Sequence, residues 1–297
     1  MELGPLRPYS HSGKFGLHAL LLVPLTGAAL GWPLGLAYAY LIKWIPFVYL
    51  NVLLTLGYGL VLGVAVGWVL KRCRVRNQPV AAALAVVVGL AANYFQWSGH
   101  VHALLDGAPL LSPPGVIRSV MGFLYEHGSW SLRHGGNVTG WFLGGVWIAE
   151  ALTILVVVTF LGTAPVRDEP YCEKNGCWLD EQTKYETLAA FTDAQQLAVL
   201  KAGDIAPVID ARSREAGSPV FARLLLKHSP RCGEFFTLRV ENVTRTTNKK
   251  GEVKEDVTAL TRDLVLPSEL RPLIERFASL APTSAVVGDS PSPAPSA

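Results

Sequence analysis

The sequence predicts an α-helical polytopic membrane protein with four transmembrane helices, followed by a small cytosolic α+β domain that contains a ribbon-like antiparallel meander. Apolar residues make up 50% of the chain, charged residues only 16%, and the mean hydropathy is +0.32. Ordinary soluble domains carry about 25% charged residues. Long stretches of the first half lack charged residues, and after Pro165 the composition changes abruptly to that of a soluble domain.

Each of the four apolar stretches is long enough to form a membrane-spanning helix. A bilayer core about 30 Å thick needs roughly 20 apolar residues of helix. Glu150 is the only charged residue inside any of these stretches. The first stretch exceeds the apolar core of a signal peptide and further spans follow it, so we expect it to stay in the mature protein. The predicted helices cover residues 16–42, 46–70, 79–98 and 141–162.

Positive charge predicts the orientation of these helices. Four basic residues lie within Lys71–Arg76, between the second and third helices, and loops rich in Lys and Arg stay on the cytoplasmic side. An even number of spans then places both the lead-in, residues 1–15, and the C-terminus in the cytosol. The segment 99–138 becomes the one long extracytoplasmic connection. Apolar residues at helical spacing after Pro113-Pro114-Gly115 predict an amphipathic helix on the membrane surface.

Residues 166–280 form the predicted cytosolic α+β domain. Its first half favours two helices, at about 180–190 and 193–202. Its second half alternates polar and apolar residues and is rich in β-formers, which predicts three antiparallel strands before a last helix. These four elements cover residues 219–227, 234–246, 252–264 and 267–280. The composition of residues 281–297 is typical of a disordered tail.

Three of the four cysteines and one histidine predict a metal site in this domain. Cys172 and Cys177 precede the predicted helices, whereas His228 and Cys232 lie in the turn between the first two strands. Zinc prefers four thiolate or imidazole ligands in a tetrahedron. Because cytosolic thiols stay reduced, metal binding or inert burial is expected rather than disulfides.

This arrangement resembles a zinc ribbon, in which two Cys-x-x-Cys knuckles bind one ion. The segment Pro230–Gly233 matches the second half of such a knuckle, but Ser229 stands in place of the partner cysteine, with His228 as its substitute. The spacing of Cys172 and Cys177 is wider than usual. The resemblance implies either one structural zinc ion or a ribbon that keeps its fold without the metal.

Glu150 defines a second candidate site, inside the predicted bundle. By helical rise it lies near the middle of the bilayer, where a carboxylate must be protonated, paired or exposed to a water-filled cavity. Polar or aromatic side chains on the other helices are its expected neighbours. These are Trp32, Asn51, Thr55, Tyr58, Asn93 and Gln96. We interpret the site either as a proton, cation or substrate site, or as a neutral Glu that only links helices by hydrogen bonds.

Other features limit the classes of function. No Gly-rich Lys-Ser/Thr loop, Gly-x-Ser-x-Gly elbow or His-Glu-x-x-His motif occurs, so nucleotide hydrolysis and common hydrolase chemistry have no support. No catalytic residue is assigned. The net charge of +3 comes without a basic stripe interleaved with aromatics, which speaks against nucleic-acid binding. Gly59, Gly63 and Gly67 recur at a spacing that predicts close helix packing.

Histidines concentrate in the predicted extracytoplasmic segment. They are His100, His102, His127 and His134. Without cysteines or a second tight spacing, this pattern is only weak evidence for a metal site. We therefore interpret these histidines as side chains at the surface or at the level of the lipid headgroups. Trp97 beside them is interpreted as an interfacial anchor.

Several short segments together resemble a group of uncharacterised bacterial inner-membrane proteins with four helices and a cytosolic zinc-ribbon-like domain. The segments are YSHSGKF at 9–15, WIPFVYLN at 44–51, GSWS at 128–131, GWFLGGVWIAEA at 140–151 and CGEFFTL at 232–238. The resemblance spans most of the chain and implies a bacterial cytoplasmic membrane. It brings no activity and no site residues with it.

The first functional hypothesis is a non-enzymatic membrane anchor or scaffold, whose partners are the lipid bilayer and an unknown protein bound by the cytosolic domain. The alternative, from a different class, is a small transporter or channel subunit that uses Glu150. Four spans form only a thin conduit, so this alternative requires a homo-oligomer. A membrane-embedded enzyme acting on lipid is the third hypothesis.

Overall fold

The computed structural model of the protein describes residues 5–45, 48–105, 108–129, 137–215, 217–249 and 251–279. The chain divides into two compact units. A helical unit covers residues 11–168, and a sheet unit combines residues 5–10 with the described part of 169–279. The disordered tail predicted for residues 281–297 lies outside the described residues.

Five helices form the described part of the helical unit. Four of them are long and apolar enough to cross a membrane, and all four overlap their predicted ranges. The number and order of the predicted long apolar helices are therefore confirmed among the described residues. The helices are Ala19–Trp44 (α1), Val48–Arg72 (α2), Gln78–Leu104 (α3), Pro114–His127 (α4) and Gly140–Asp168 (α5).

Helix α3 continues past its predicted end. The sequence placed residues 99–138 in a connection, but α3 runs to Leu104. Gly99 packs against the backbone of α1 at Gly35, and Val101 is completely buried. Because packing against α1 continues through this turn, the helix does not end where the hydropathy falls. The two histidines of the His-x-His pair therefore lie on a helix.

Helix α4 matches the amphipathic helix predicted after Pro113-Pro114-Gly115. It ends before Gly128, which has a φ of 87°, a conformation that glycine adopts without strain. Ile117 and Leu124 are buried, whereas Phe123 is exposed. The place of this helix at a membrane surface stays a prediction.

Small residues bring the long helices close together. Helix α1 packs mainly on α3, and α2 packs mainly on α5. On α2, Gly59, Gly63 and Gly67 all face α5. A β-carbon added at Gly63 would lie 2.8 Å from Leu161 Cβ and 3.1 Å from the carbonyl oxygen of Val157. The close packing predicted from the glycine spacing is confirmed, and its partner is α5.

Large apolar side chains remain exposed around the bundle. Leu21, Val64, Ile148 and Phe160 are each more than half exposed. Soluble monomers rarely expose so much contiguous apolar surface, whereas lipid acyl chains cover such surfaces in a bilayer. The exposed surface therefore agrees with the membrane-spanning length and composition of the helices.

An antiparallel sheet forms the centre of the sheet unit. Its strands are Glu181–Ala189 (β3), Val220–His228 (β4), Phe235–Thr247 (β5), Val253–Ala259 (β6) and Leu264–Pro267 (β7). The order is β3-β4-β5-β6, and β7 pairs with the first residues of β5. The predicted three-stranded meander is confirmed as β4, β5 and β6. A separate ribbon pairs Tyr171–Cys172 (β1) with Cys177–Trp178 (β2).

Short helices cover one face of the sheet and complete the core. They are Ala194–Lys201 (α6), Ala206–Ile209 (α7) and Arg271–Ser279 (α8), and α8 follows a 3₁₀ turn at Ser268–Leu270. Leu224, Leu226 and Leu238 of the sheet pack with Leu200 and Ile205 in one apolar cluster, each at most 1% exposed. The predicted helices 193–202 and 267–280 correspond to α6 and to the turn with α8.

The helix predicted at 180–190 is wrong, because this segment is the edge strand β3. Its Glu, Gln, Lys and Ala residues favour helix, but pairing with β4 along nearly its full length prevails. Glu186 stabilises the strand through ion pairs with residues of β4 and β5. Its carboxylate accepts from Arg223 Nε at 2.9 Å on β4 and from Arg245 Nη2 at 2.7 Å on β5. These cross-strand ion pairs exist only in the strand conformation.

The N-terminal segment belongs to the sheet unit. Pro8 forms an antiparallel bridge with Leu264 of β7, and the Leu6 amide donates to the Gly203 carbonyl at 2.8 Å. Tyr9 stacks on Phe235 with ring centroids 6.3 Å apart. The lead-in predicted as residues 1–15 therefore supplies an extra edge to the C-terminal domain, which sequence hydropathy does not reveal.

Candidate functional site

A hydrogen-bond chain joins Glu150 to two other helices. Tyr38 on α1 donates its hydroxyl hydrogen to Glu150 Oε1 on α5. The same hydroxyl oxygen lies 2.8 Å from Thr55 Oγ1 on α2, and Thr55 donates to the Asn51 carbonyl at 2.8 Å. Glu150 thus has Tyr38 as a direct polar partner, and the expected neighbours Thr55 and Asn51 join it through Tyr38.

This chain can accommodate either protonation state of Glu150. A carboxylate accepts the Tyr38 proton, as described above. A neutral carboxyl group can instead donate to Tyr38, whose own proton then passes to Thr55, while Thr55 keeps its bond to the carbonyl of Asn51. The arrangement therefore permits a proton to be gained or lost at Glu150 without leaving a hydroxyl group unpaired.

Two predicted neighbours bind elsewhere in the bundle. Tyr58 stacks on Tyr38 with centroids 5.5 Å apart, but its hydroxyl group contacts the carbonyls of Gly31 and Ala92 at 3.0 and 3.1 Å. Asn93 donates to the Gly89 carbonyl at 2.9 Å and to the Ala151 carbonyl at 3.3 Å. Both side chains therefore act as links between helices, as polar residues in membrane bundles commonly do.

The Glu150 carboxyl group faces a cavity of about 330 Å³. The cavity lies where α1 and α3 end and where α2 and α5 begin, at the end of the bundle opposite the basic connection Lys71–Arg76. Its wall mixes apolar, aromatic and hydrogen-bonding side chains. The lining residues are Tyr38, Ile42, Asn51, Val52, Thr55, Gln96, Trp97, His100, Ser129, Val146, Trp147, Ala149, Glu150 and Thr153.

Sequence reasoning missed part of this wall. Tyr38 was not among the expected neighbours of Glu150, although it lies within two turns of the end of α1, at the depth of the cavity. Trp97 and His100 were interpreted as interfacial, but they line the cavity with Trp147. For His100 the signal that could have found it is the length of α3, which runs beyond the predicted end at residue 98 to Leu104. Trp97 already lay within the predicted helix.

Two of the remaining histidines from the predicted extracytoplasmic segment make backbone contacts. His102 Nδ1 lies 2.7 Å from the Ala108 carbonyl oxygen, and His127 Nδ1 lies 3.0 Å from that of Phe123. His134 lies outside the described residues. Neither described contact brings these rings to the Glu150 cavity.

Three cysteines of the sheet unit lie in one cluster. Cys172 and Cys177 are paired across the β1–β2 ribbon, and Cys232 packs beside them with Leu179 and Phe235. Burial raises the pKa of the Cys172 thiol to about 11, and the neighbouring Cys232 thiol adds to the effect. Burial likewise raises the pKa of Cys177. The three cysteines named by the ribbon resemblance therefore share one buried cluster.

His228, the fourth predicted ligand, is held by other partners. Its Nε2 lies 3.1 Å from Arg271 Nη2 and 3.2 Å from Thr183 Oγ1. Burial and the Arg271 guanidinium lower the pKa of this imidazole. Among the described residues, no group of three or more His, Cys, Asp or Glu side chains is arranged to hold a metal ion. The predicted four-ligand set does not assemble here, and a structural zinc stays a prediction.

Fold and cavity together define the class of this chain: four helices long and apolar enough to cross a membrane, an antiparallel sheet domain, and a mostly apolar cavity with a few polar side chains within the bundle. No protein-family model, curated protein or solved structure matches it. The resemblance to a bacterial inner-membrane family therefore stays a prediction.

Proposed function

We propose that this chain is a membrane protein that binds a small molecule in the cavity beside Glu150. The observation that carries the proposal is the Glu150–Tyr38–Thr55 hydrogen-bond chain on the wall of a cavity of about 330 Å³. Ligand sites are concave, mostly apolar and fitted with a few convergent polar groups. An ionisable residue within a membrane bundle is expensive to keep and marks a functional site by default.

Packing in the other half of the bundle favours binding over conduction. Leu62, Val66 and Leu70 of α2 and Val158 of α5 are completely buried, and the glycine-lined contact between these helices leaves no room for an added β-carbon at Gly63. Tightly packed apolar side chains therefore fill the bundle below the cavity. Of the two sequence-based uses of Glu150, this conformation supports substrate binding better than a channel.

The binding test uses three water-soluble probes of matched shape: choline, uncharged neohexyl alcohol and anionic tert-butylacetate. We expect at least one to raise the Tm of the purified full-length protein in lipid nanodiscs, because a ligand that binds only the folded state stabilises it. Ala149→Trp fills the cavity and should abolish the response. Leu152→Trp, on the same helix at a position that is 53% exposed, is the matched control and should respond like the wild type.

Two results would contradict the cavity proposal. One is that no probe stabilises the wild-type protein. The other is that Ala149→Trp responds as strongly as Leu152→Trp, which would place the binding site elsewhere in the chain.

A scaffold role for the sheet unit remains our second proposal. Strand β6 forms one edge of the sheet and is exposed along its whole length, with Val253 at 61% and Val257 at 44%. Exposed edges can accept a further strand from a partner. Val257→Pro should remove a protein captured by the wild type from native membranes, whereas Val257→Thr should retain it. Equal capture by both variants would count against docking at β6.

A further inference from the structure

From the acceptors and aromatic rings on the cavity wall, we infer that the cavity ligand is a small organic ammonium cation. This inference rests on the proposed function and names its ligand class. Two threonine hydroxyl protons on the wall are already used within the protein. Thr55 donates to the Asn51 carbonyl and Thr153 to the Ala149 carbonyl, each at 2.8 Å. These two hydroxyl groups therefore have no proton left for a bound ligand to accept.

Acceptor atoms, by contrast, remain available. Asn51 Oδ1 is buried and has no hydrogen-bond partner among the described residues. A buried polar atom of this kind is costly unless something pairs with it. Glu150 contributes a second acceptor beside it, since Tyr38 engages only Oε1 within the described contacts. The wall therefore calls for a ligand that supplies hydrogen-bond donors or positive charge.

When Glu150 is ionised, no protein cation is paired with it among the described residues. Lys43 lies nearest that end of α1, but its ammonium group donates to the Ala103 carbonyl. His100 is the basic side chain on the cavity wall, and no ion pair joins it to Glu150 in the described part of the chain. A carboxylate in a low-dielectric bundle needs a counter-charge, which a cationic ligand provides.

Aromatic rings add a second reason to favour a cation. Trp97 and Trp147 line the cavity and meet edge to face, with centroids 5.1 Å apart. Indole faces attract ammonium groups, and quaternary ammonium ligands are commonly held in this way. A carboxyl group and indole rings on the wall of one cavity therefore favour a cation over a neutral or anionic ligand of the same shape.

The volume limits the size of the ligand. A cavity of about 330 Å³ is at the lower end of small-molecule sites, which span roughly 300–1,000 Å³. It admits an ammonium group with a short apolar body. A free solute and the choline headgroup of a lipid share this chemistry.

The test compares choline with neohexyl alcohol, in which carbon replaces the charged nitrogen, by equilibrium titration of the full-length protein in nanodiscs. We expect choline to bind about 100-fold more tightly, as for a close buried charge pair. Glu150→Gln should remove this preference, and Trp147→Leu should weaken choline binding about tenfold. Thr163→Val, which removes a buried hydroxyl from the opposite part of the same helix, should retain both affinities.

The outcomes separate the two proposals. If neohexyl alcohol or tert-butylacetate binds as tightly as choline and Ala149→Trp still blocks it, the cavity binds ligands but the ammonium inference is wrong. If no probe binds, the proposed function itself fails. Should Glu150→Gln not fold, unchanged choline affinity in Trp147→Leu alone would overturn the inference.

Lipid composition distinguishes the two sources of the ammonium group. Weaker choline binding in phosphatidylcholine nanodiscs than in phosphatidylglycerol nanodiscs would identify a lipid headgroup as the competitor and support ammonium recognition. Equal affinity in both, with choline still preferred over neohexyl alcohol, would support a free solute.

Discussion

The hydrogen bond between Tyr38 and Glu150 links α1 to α5, a contact that the sequence did not predict. Glu150 stands out in the sequence because it is the only charge within the predicted spans, and the structure places it in a cavity wall. Its partner does not stand out, since tyrosines are common near helix ends. Which of several polar residues meets a buried carboxyl group depends on helix rotation and pairing, which hydropathy does not specify. The contact between Cys172 and Cys177 is easier to predict, because the β1–β2 ribbon that pairs them is local in sequence.

Removing the Tyr38 hydroxyl group should expose its coupling to Glu150. Tyr38→Phe leaves the carboxyl group without its described donor, so we expect a loss of stability that largely disappears in a Glu150→Met background, which has no hydrogen-bond acceptor of comparable strength at this position. Interhelical hydrogen bonds in membrane proteins give coupling energies of about 0.6 kcal/mol, and at most about 1.7 kcal/mol. A double-mutant cycle of unfolding free energies measures this coupling.

The matched control is Tyr40→Phe, two residues away on α1, with Tyr40 in ring contact with Trp44 and His102. It should show no coupling to Glu150→Met. A coupling of the same size at both positions would mean that the effect comes from α1 packing and not from the hydrogen bond.

At the scale of elements, tertiary pairing overrode local preference in two places. Residues 181–189 carry helix-formers, yet β4 needs a partner on its outer side and Glu186 finds two arginines across the sheet. Helix α3 likewise runs beyond its apolar stretch because α1 continues to cover it. The helix predicted at 180–190 and the early end predicted for α3 are wrong for the same reason. Amino-acid composition indicates whether a segment is polar or apolar, but packing against neighbouring elements determines its conformation. Segments with strong periodicity, such as β4 and β5, were predicted correctly.

The α2–α5 contact predicts unequal effects for two glycines on one helix. Gly63→Leu should separate α2 from α5, because even its β-carbon would lie 2.8 Å from Leu161 Cβ. Overpacking of a close contact costs typically about 1–3 kcal/mol. Gly57 has nothing within 4 Å of an added β-carbon, so Gly57→Leu should leave stability nearly unchanged. Melting of both variants in the same nanodiscs provides the comparison, and equal loss at both positions would contradict the packing assignment.

For the whole molecule, the sequence predicted the two-part architecture but not how the second part is assembled. Four apolar spans and a polar C-terminal region are visible in composition alone. The edge supplied by residues 6–9 is not visible, because four residues with no alternating pattern carry no strand signal. Their partners Gly203 and Leu264 lie at the other end of the chain. Such a long-range pairing emerges only from the three-dimensional fold.

Tyr9→Ala should therefore lower the stability of the sheet unit, most of which lies after residue 168. The change removes the stacking on Phe235 and the acceptor for the Tyr171 amide at 2.9 Å, at an expected cost of about 1–3 kcal/mol. Limited proteolysis of the full-length protein should show faster cleavage within the sheet unit. Arg7→Ala keeps the backbone bond to Val265 and changes only an exposed side chain, so its cleavage rate should match that of the wild type.

The pairing of Pro8 with Leu264 also bears on biosynthesis. The N-terminal strand leaves the ribosome first, and its partner strand is synthesised only after every helix of the bundle. In a bilayer the two can meet only if both termini end on the same side, which requires an even number of crossings. A chain that skips one insertion would leave β7 without this neighbour and the domain incomplete. The Pro8–Leu264 pairing thus ties completion of the sheet to the number of times the chain crosses a bilayer.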